Sequence, residues 1–298
     1  MTAEKRFVGF EERSVSLRGR PQGVLRYLAG GSGEPILLVH GLGGSALNWV
    51  SVAPQLGRCG RVLVPDLPGH GGSTPASSPA TLEPFADALA ALVEQEGAGA
   101  VPVVGHSLGG LVAVRLAVRR PELVAGILLC AAAGISSTRR RARYALEVLG
   151  AVRPGRLLAR HRGQIARSAR LRALTFAWWG ASDPAALAPE AVDGFLAGWE
   201  RHTDTRGAAR AMVVDDVRGD LARLSCPSLV LWGGRDHQIG VEDAFDYARS
   251  LGAPLRVIPD CGHLLIGERP DAVLDAIQAL LDGIRQLDEL PLEAEALR

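Results

Sequence analysis

Between positions 103 and 119 the chain reads Val103-Val104-Gly105-His106-Ser107-Leu108-Gly109-Gly110, and then a stretch with helical spacing to Arg119. A short β-branched run entering Gly-x-Ser-x-Gly, with a helix leaving it, is the sequence form of a nucleophile elbow. The chain must turn from strand to helix within about two residues. The serine at the tip is then held in a strained backbone conformation. Gly105 and Gly109 flank it because a Cβ at either place would meet the neighbouring strand or helix. The gain is a hydroxyl held out above a sheet, at a helix N-terminus whose dipole favours negative charge. Such a stretch confines the chain to folds in which a strand feeds directly into a helix.

At 298 residues the chain can build one large α/β domain with an insertion, and an apolar content of 47% supplies a sizeable core. The formal net charge of +1 gives no global argument for nucleic acid or an anionic membrane as partner. The first residues, Met-Thr-Ala-Glu-Lys-Arg-Phe, are polar and have the form of no signal peptide. No apolar run reaches the roughly 18 residues of a membrane span, and the expected location is the cytoplasm. Cys59, Cys130, Cys226 and Cys261 have no Cys-x-x-Cys spacing and read as reduced thiols.

Short apolar runs at Ile36–Val39, Arg61–Pro65, Val101–Val104, Gly126–Cys130, Ser228–Trp232 and Leu255–Ile258 read as buried strands of a mostly parallel sheet. Helical spacing at Leu82–Glu94, Leu108–Arg119, Val241–Ser250 and Asp271–Ile284 alternates with them, which argues for a doubly wound α/β fold. Phe7–Leu17 and Val24–Tyr27 read as an antiparallel start. The rhythm breaks from about Gly134 to Leu224, where the composition is helical and no clear strand appears. The expected organisation is therefore a core in two parts, 1–133 and 225–298, with a helical cap at 134–224 over the carboxyl ends of the strands.

A serine hydroxyl needs a general base within hydrogen-bond reach. His263, in Pro259-Asp260-Cys261-Gly262-His263, follows the last predicted strand and emerges at the same sheet edge as the elbow. An imidazole in turn needs a carboxylate to fix its tautomer. Asp236 fits, just beyond the preceding strand, with Asp260 and Asp243 as the other candidates. An oxyanion hole needs preset backbone N–H groups. Leu108 supplies one; the second is expected from His40-Gly41-Leu42-Gly43-Gly44, at Leu42 or, alternatively, Gly43.

Five motifs in order, His40–Gly44, Asp66-Leu67-Pro68-Gly69-His70-Gly71-Gly72-Ser73, Gly105–Gly110, Gly233–Asp236 and Gly262-His263, make the chain resemble the α/β-hydrolase superfamily in its cap-bearing branch of esterases, C–C hydrolases and epoxide or haloalkane hydrolases. The resemblance implies the α/β-hydrolase fold, catalysis by Ser107, His263 and Asp236, and a structural role for the 66–73 turn. Epoxide and haloalkane hydrolases of this branch carry aspartate where this chain has Ser107, which points to acyl transfer. Relatives that cleave C–C bonds often carry asparagine where this chain has His106. Those that draw the acid from an earlier strand would need a carboxylate within Ala131-Ala132-Ala133-Gly134, and none is present.

The expected activity is hydrolysis of a small to medium, apolar carboxylic ester through an acyl-enzyme on Ser107. Alternatives are C–C hydrolysis, acyl transfer or perhydrolysis on the same groups, or a small-molecule receptor on a hydrolase scaffold. Trp49, Phe176, Trp178, Trp179 and Trp199 are candidate pocket residues, with cap core as the competing reading, shared by Phe195. His40 and His106 are expected to brace backbone, and His70 and His237 to lie at the surface or rim. The arginine-dense stretch Arg139–Arg172 reads as a solvated helix face. No cluster has metal-ligand spacing and no Gly-x-Gly-x-x-Gly opens a helix, so neither metal nor dinucleotide cofactor is expected. The partner is a small-molecule ester; the chain itself is expected as monomer or homodimer.

Overall fold

The computed structural model describes residues 2–17, 23–76, 81–133, 135, 154–177, 179–202 and 204–288. The strands are β1 (Phe10–Ser16), β2 (Val24–Gly30), β3 (Pro35–Val39), β4 (Arg61–Pro65), β5 (Val101–His106), β6 (Val124–Cys130), β7 (Ser228–Gly233) and β8 (Leu255–Ile258). They form one sheet in the order β1-β2-β4-β3-β5-β6-β7-β8. β1 and β2 pair antiparallel, as does β2 with β4; every other pairing is parallel. The strands expected from β-branched runs are present, most of them slightly longer than their apolar cores.

The interior strands β3 and β5 are buried at every position, as parallel strands covered on both faces must be. The edge strand β1 exposes most of its residues. Helices α1 (Glu83–Gln95) and α2 (Leu108–Arg119) pack side by side, and α2 lies on β5 and β6. Between β6 and β7 the described elements are helical: α3 (Pro154–Arg160), α4 (Arg162–Arg167), α5 (Ala169–Phe176), α6 (Pro189–Ala197) and α7 (Thr205–Val214). The core closes with α8 (Val241–Leu251) on β7 and α9 (Pro270–Asp288) along β5, β6 and β7.

The topology fixes where chemistry can occur. The connection from β3 to β4 runs one way along the sheet, and that from β4 to β5 crosses back over β3. The loops after β3 and β5 therefore diverge at a topological switch point, where open α/β sheets bind ligands. The register aligns the strand ends, with Val39 opposite Gly105, His106 opposite Cys130, and Gly233 opposite Ile258. Four loops thus leave one edge of the sheet: 40–44, the turn at 107, the loop at 234–239 and the loop at 259–264.

Candidate active site

Ser107 has φ 53° and ψ −119°. Among the described residues only it and Ala131 are non-glycines at positive φ. Backbone bonds hold the strain: Ser107 N donates to Cys130 O at 3.1 Å, and Ser107 O accepts from Ala133 N at 2.8 Å and Gly110 N at 3.0 Å. The flanking glycines are sterically required. A Cβ on Gly105 would lie 2.4 Å from Gly109 O, and one on Gly109 would lie 2.3 Å from Val39 O.

The loops after β7 and β8 bring two partners to the serine. His263 Nε2 lies 3.1 Å from Ser107 Oγ, and His263 Nδ1 lies 2.8 Å from Asp236 Oδ2. Asp236 Oδ1 accepts the N–H groups of Gln238 and Ile239, each at 2.8 Å. A carboxylate can only accept, so Nδ1 of His263 carries the proton and bare Nε2 faces the serine hydroxyl. All three residues are buried. The rival carboxylates lie elsewhere: Asp260 pairs with Arg235 at the surface, and Asp243 sits on α8.

The loop after β3 lies directly against the nucleophile, since a Cβ on Gly41 would come within 2.9 Å of Ser107 Cβ. Leu108 opens α2, so its N–H has no acceptor within the helix. Gly43, the alternative oxyanion donor, gives its N–H to His70 Nε2 at 3.1 Å. Its amide is committed to that imidazole.

Four histidines brace this edge, three of them buried and the fourth half-buried. His40 donates Nδ1–H to Gly41 O at 2.7 Å and accepts Leu67 N–H at 2.9 Å. His106 donates Nε2–H to His263 O at 2.8 Å. Burial pushes the pKa of His40 and of His106 down to about 3, and that of His70 well below the ordinary value. His70 corrects the expectation of a surface or rim position: it is fully buried under Gly43. The fourth, His202 of the helical segment, donates Nε2–H to Gly43 O at 2.8 Å and accepts Gly71 N–H at 3.0 Å. The neighbouring Asp66 is also buried; it accepts Ala46 N–H at 2.7 Å and Gly72 N–H at 2.9 Å, and pairs with Arg26.

Sequence reasoning did not single out His202, Gly180 or Glu268. His263 N donates to Gly180 O at 2.6 Å. Glu268 accepts Ser182 N–H at 2.7 Å and Gly262 N–H at 3.2 Å, and burial raises its pKa. No spacing rule flags these contacts, because each joins residues distant in sequence through one carbonyl or one side chain. Burial also pushes up the pKa of Cys261, so its thiol stays neutral beside the base loop.

The aromatic candidates divide. Trp49 and Phe176 are fully buried (0% exposed), and Phe176 packs edge-on against Trp179 at 5.2 Å. Trp178 lies outside the described residues. Trp179 and Trp199 are half-buried and stacked, with centroids 5.0 Å apart and planes 10° apart. The Trp199 ring lies 3.5 Å from where a Cβ of Gly43 would stand. Of the arginine-dense stretch, 139–153 lies outside the described residues. Arg162 is an internal brace, paired with Glu4, Asp193 and Glu200, and Arg172 donates to the carbonyls of Ala166 and Ala185. Arg160, Arg167 and Arg170 are exposed, as a solvated face requires. Among the described residues no group of three His, Cys, Asp or Glu could hold a metal ion, and no helix is long and apolar enough to cross a membrane.

A family profile described as "Alpha/beta hydrolase family" matches residues 36–276. The chain is 29% identical over 261 residues to the dihydrolipoyllysine-residue acetyltransferase component of an acetoin cleaving system from Pseudomonas putida, covering 85% of this chain and 65% of that protein. It therefore spans less than two thirds of that relative's length. It is 28% identical over 260 residues to an (E)-2-((N-methylformamido)methylene)succinate hydrolase from Acinetobacter baylyi, covering 86% of this chain and 93% of that one. A thermophilic esterase from Thermogutta terrifontis superposes with a TM-score of 0.71 at 27% identity, over 92% of this chain and 99% of the other.

Proposed function

We propose that this chain, which belongs to the alpha/beta hydrolase family, is a serine hydrolase of small to medium, apolar carboxylic esters. The observation that carries the reading is the continuous hydrogen-bond chain from Asp236 through His263 to a strained serine at a helix N-terminus. Ser107 Oγ attacks the ester carbonyl while His263 Nε2 takes its proton. Asp236 holds the imidazole in the required tautomer and stabilises the imidazolium. The N–H groups of Leu108 and Leu42 receive the developing oxyanion, where loss of one such donor typically lowers kcat by about 10²–10³. His263 then protonates the leaving alcohol, and water, activated by the same nitrogen, releases the acid from Ser107.

The helices between β6 and β7 act in this reading as a cap, and the half-buried Trp179–Trp199 stack supplies its apolar lining. A second reading, acyl transfer to an acceptor other than water, is favoured by the enclosure of the nucleophile, which is 7% exposed.

The test is hydrolysis of p-nitrophenyl esters from acetate to palmitate by wild type and Ser107→Ala, with competing alcohol in parallel. A serine-dependent rate with the free acid as product supports the hydrolase; a product ester in its place supports acyl transfer. Neither turnover nor fluorophosphonate labelling of Ser107 would refute both readings.

A further inference from the structure

An oxyanion hole works only if its donors are fixed before charge develops. One of the two donors here sits in a loop with little intrinsic rigidity: Gly41-Leu42-Gly43-Gly44 carries glycine at three of four positions. The loop is a hydrogen-bonded turn, with Gly44 N donating to Gly41 O at 3.0 Å and Gly43 at φ +71°. Positive φ at the third residue is the requirement of a type II turn. Type I and type II turns differ by a half-rotation of the central peptide, here the one joining Leu42 to Gly43. A glycine at Gly43 permits either state, so the turn itself does not hold the peptides around Leu42 in place.

Two imidazoles supply what the glycines lack. His70 takes the N–H of the central peptide at 3.1 Å, and a half-rotation would turn that N–H away from it. His202 donates to the carbonyl of the following peptide at 2.8 Å, and its other nitrogen is anchored by Gly71 N–H at 3.0 Å. The residues come from different places. His70 stands in the turn after β4, whereas His202 stands in the helical segment between β6 and β7. Trp199, three residues before His202, packs over the same glycine, with the two rings 5.9 Å apart.

We propose that His202 is a positioning residue: by clamping Gly43 against His70 it fixes the turn that presents the Leu42 N–H to the oxyanion, so the helical segment completes the hole and does more than cover it. The inference rests on the serine-hydrolase reading. It takes the segment from a determinant of substrate fit to a part of the rate-determining machinery.

The two nitrogens of His202 can be separated by substitution. Glutamine extends an amide N–H₂ to about the place of Nε2, and asparagine an amide oxygen to about the place of Nδ1. His202→Asn keeps the anchor to Gly71 and loses the bond to Gly43; His202→Gln keeps a donor for Gly43. The expected result is a kcat about tenfold lower in His202→Asn and His202→Ala, a fraction of the 10²–10³ that a missing donor costs. KM changes less than about threefold, and His202→Gln recovers most of the loss. The Ki of a trifluoromethyl ketone, which mimics the tetrahedral oxyanion, should rise in step with the loss in kcat/KM. Backbone hydrogen exchange over 41–44 should quicken in His202→Asn and less so in His202→Gln, and this readout needs no turnover. A His202→Asn enzyme with wild-type kcat and an unchanged ketone Ki would overturn the proposal, as would equal losses in the Asn and Gln variants. Failure of the serine-hydrolase reading looks different: wild type would neither turn over esters nor accept a fluorophosphonate.

Discussion

Replacing Asp236 by Asn tests the catalytic reading with almost no change in shape, because the neighbours dictate how the amide must point. Oδ1 of Asp236 accepts two backbone N–H groups, from Gln238 and Ile239. In the variant the amide oxygen must occupy that position, since an N–H₂ there would face two donors and leave both unsatisfied. The N–H₂ is thereby forced toward His263 Nδ1, 2.8 Å away in the parent. Nδ1 must then accept, and the ring proton moves to Nε2. Ser107 Oγ now faces an N–H in place of a bare nitrogen, and the base is lost. In a serine protease the same substitution lowers kcat by about 10⁴ through the same wrong tautomer. At about 1.36 kcal/mol per tenfold, that is roughly 5.4 kcal/mol of transition-state stabilisation. Folding stability should move little, because the Gln238 and Ile239 amides keep their acceptor. Asp236→Ala separates the two effects: it leaves the Gln238 and Ile239 amides unpaired, at about 1–3 kcal/mol for each buried group, so Tm falls along with activity. The assay is kcat on the best p-nitrophenyl ester, with Tm by calorimetry. A D236N protein within tenfold of wild-type kcat, at unchanged Tm, would refute the assignment of Asp236 and the tautomer argument together.

Other outcomes follow from the same geometry. His40 and His106, held down to about 3 by burial, start from an ordinary value of 6.5. Between those limits the unfolded chain binds more protons than the folded one, so stability is intact above pH 6.5 and is lost as pH falls toward 3, by about 2 kcal/mol per histidine at pH 5. Calorimetry from pH 8 to 4.5 should show Tm level and then falling; a level trace throughout contradicts the burial argument. Gly105→Ala puts a Cβ 2.4 Å from Gly109 O, against rigid backbone; a loss of about 1–3 kcal/mol or more by urea unfolding is expected, and parental stability would contradict the close approach. Trp199→Ala removes one ring of the Trp179–Trp199 stack; the preferred ester chain length should rise, and an unmoved optimum would take the stack out of the substrate site.

The parts of this architecture that could be read from the sequence are those with local signatures. β5 and α2 were visible because a β-branched run, two glycines and a helical pattern must follow one another for Ser107 to stand at positive φ. Asp236 and His263 were visible because each lies a few residues beyond an apolar run, and parallel strands in register put those ends at one edge. His70 was misplaced for a physical reason. A histidine between glycines in a turn looks solvated, and nothing local announces that Gly43, reached from β3, will cover it. For His70 the deciding contact, with Gly43, is made by a distant part of the chain. The full burial of Trp49 and Phe176 was not legible either, because aromatic content within a segment does not tell an inward face from a lining one.

Those distant contacts converge on the two loops that carry the candidate chemistry, and the helical segment supplies one for each. It gives Gly180 O to His263 N–H and places Ser182 N–H on Glu268, which also holds Gly262, so the base loop is tied down from above. It gives His202 to Gly43, so the oxyanion loop is tied down as well. A strand edge alone aligns the carboxyl ends of β3, β5, β7 and β8, but loops leaving that edge keep their own conformational freedom, at roughly 1–2 kcal/mol per residue to be ordered. The sheet therefore sets which residues meet, and the helical segment sets how rigidly they do so. On this division, residues 180 to 204 vary the rate as well as the choice of substrate, and substitutions at the latch points should register in kcat while those at the Trp179–Trp199 stack register in chain-length preference.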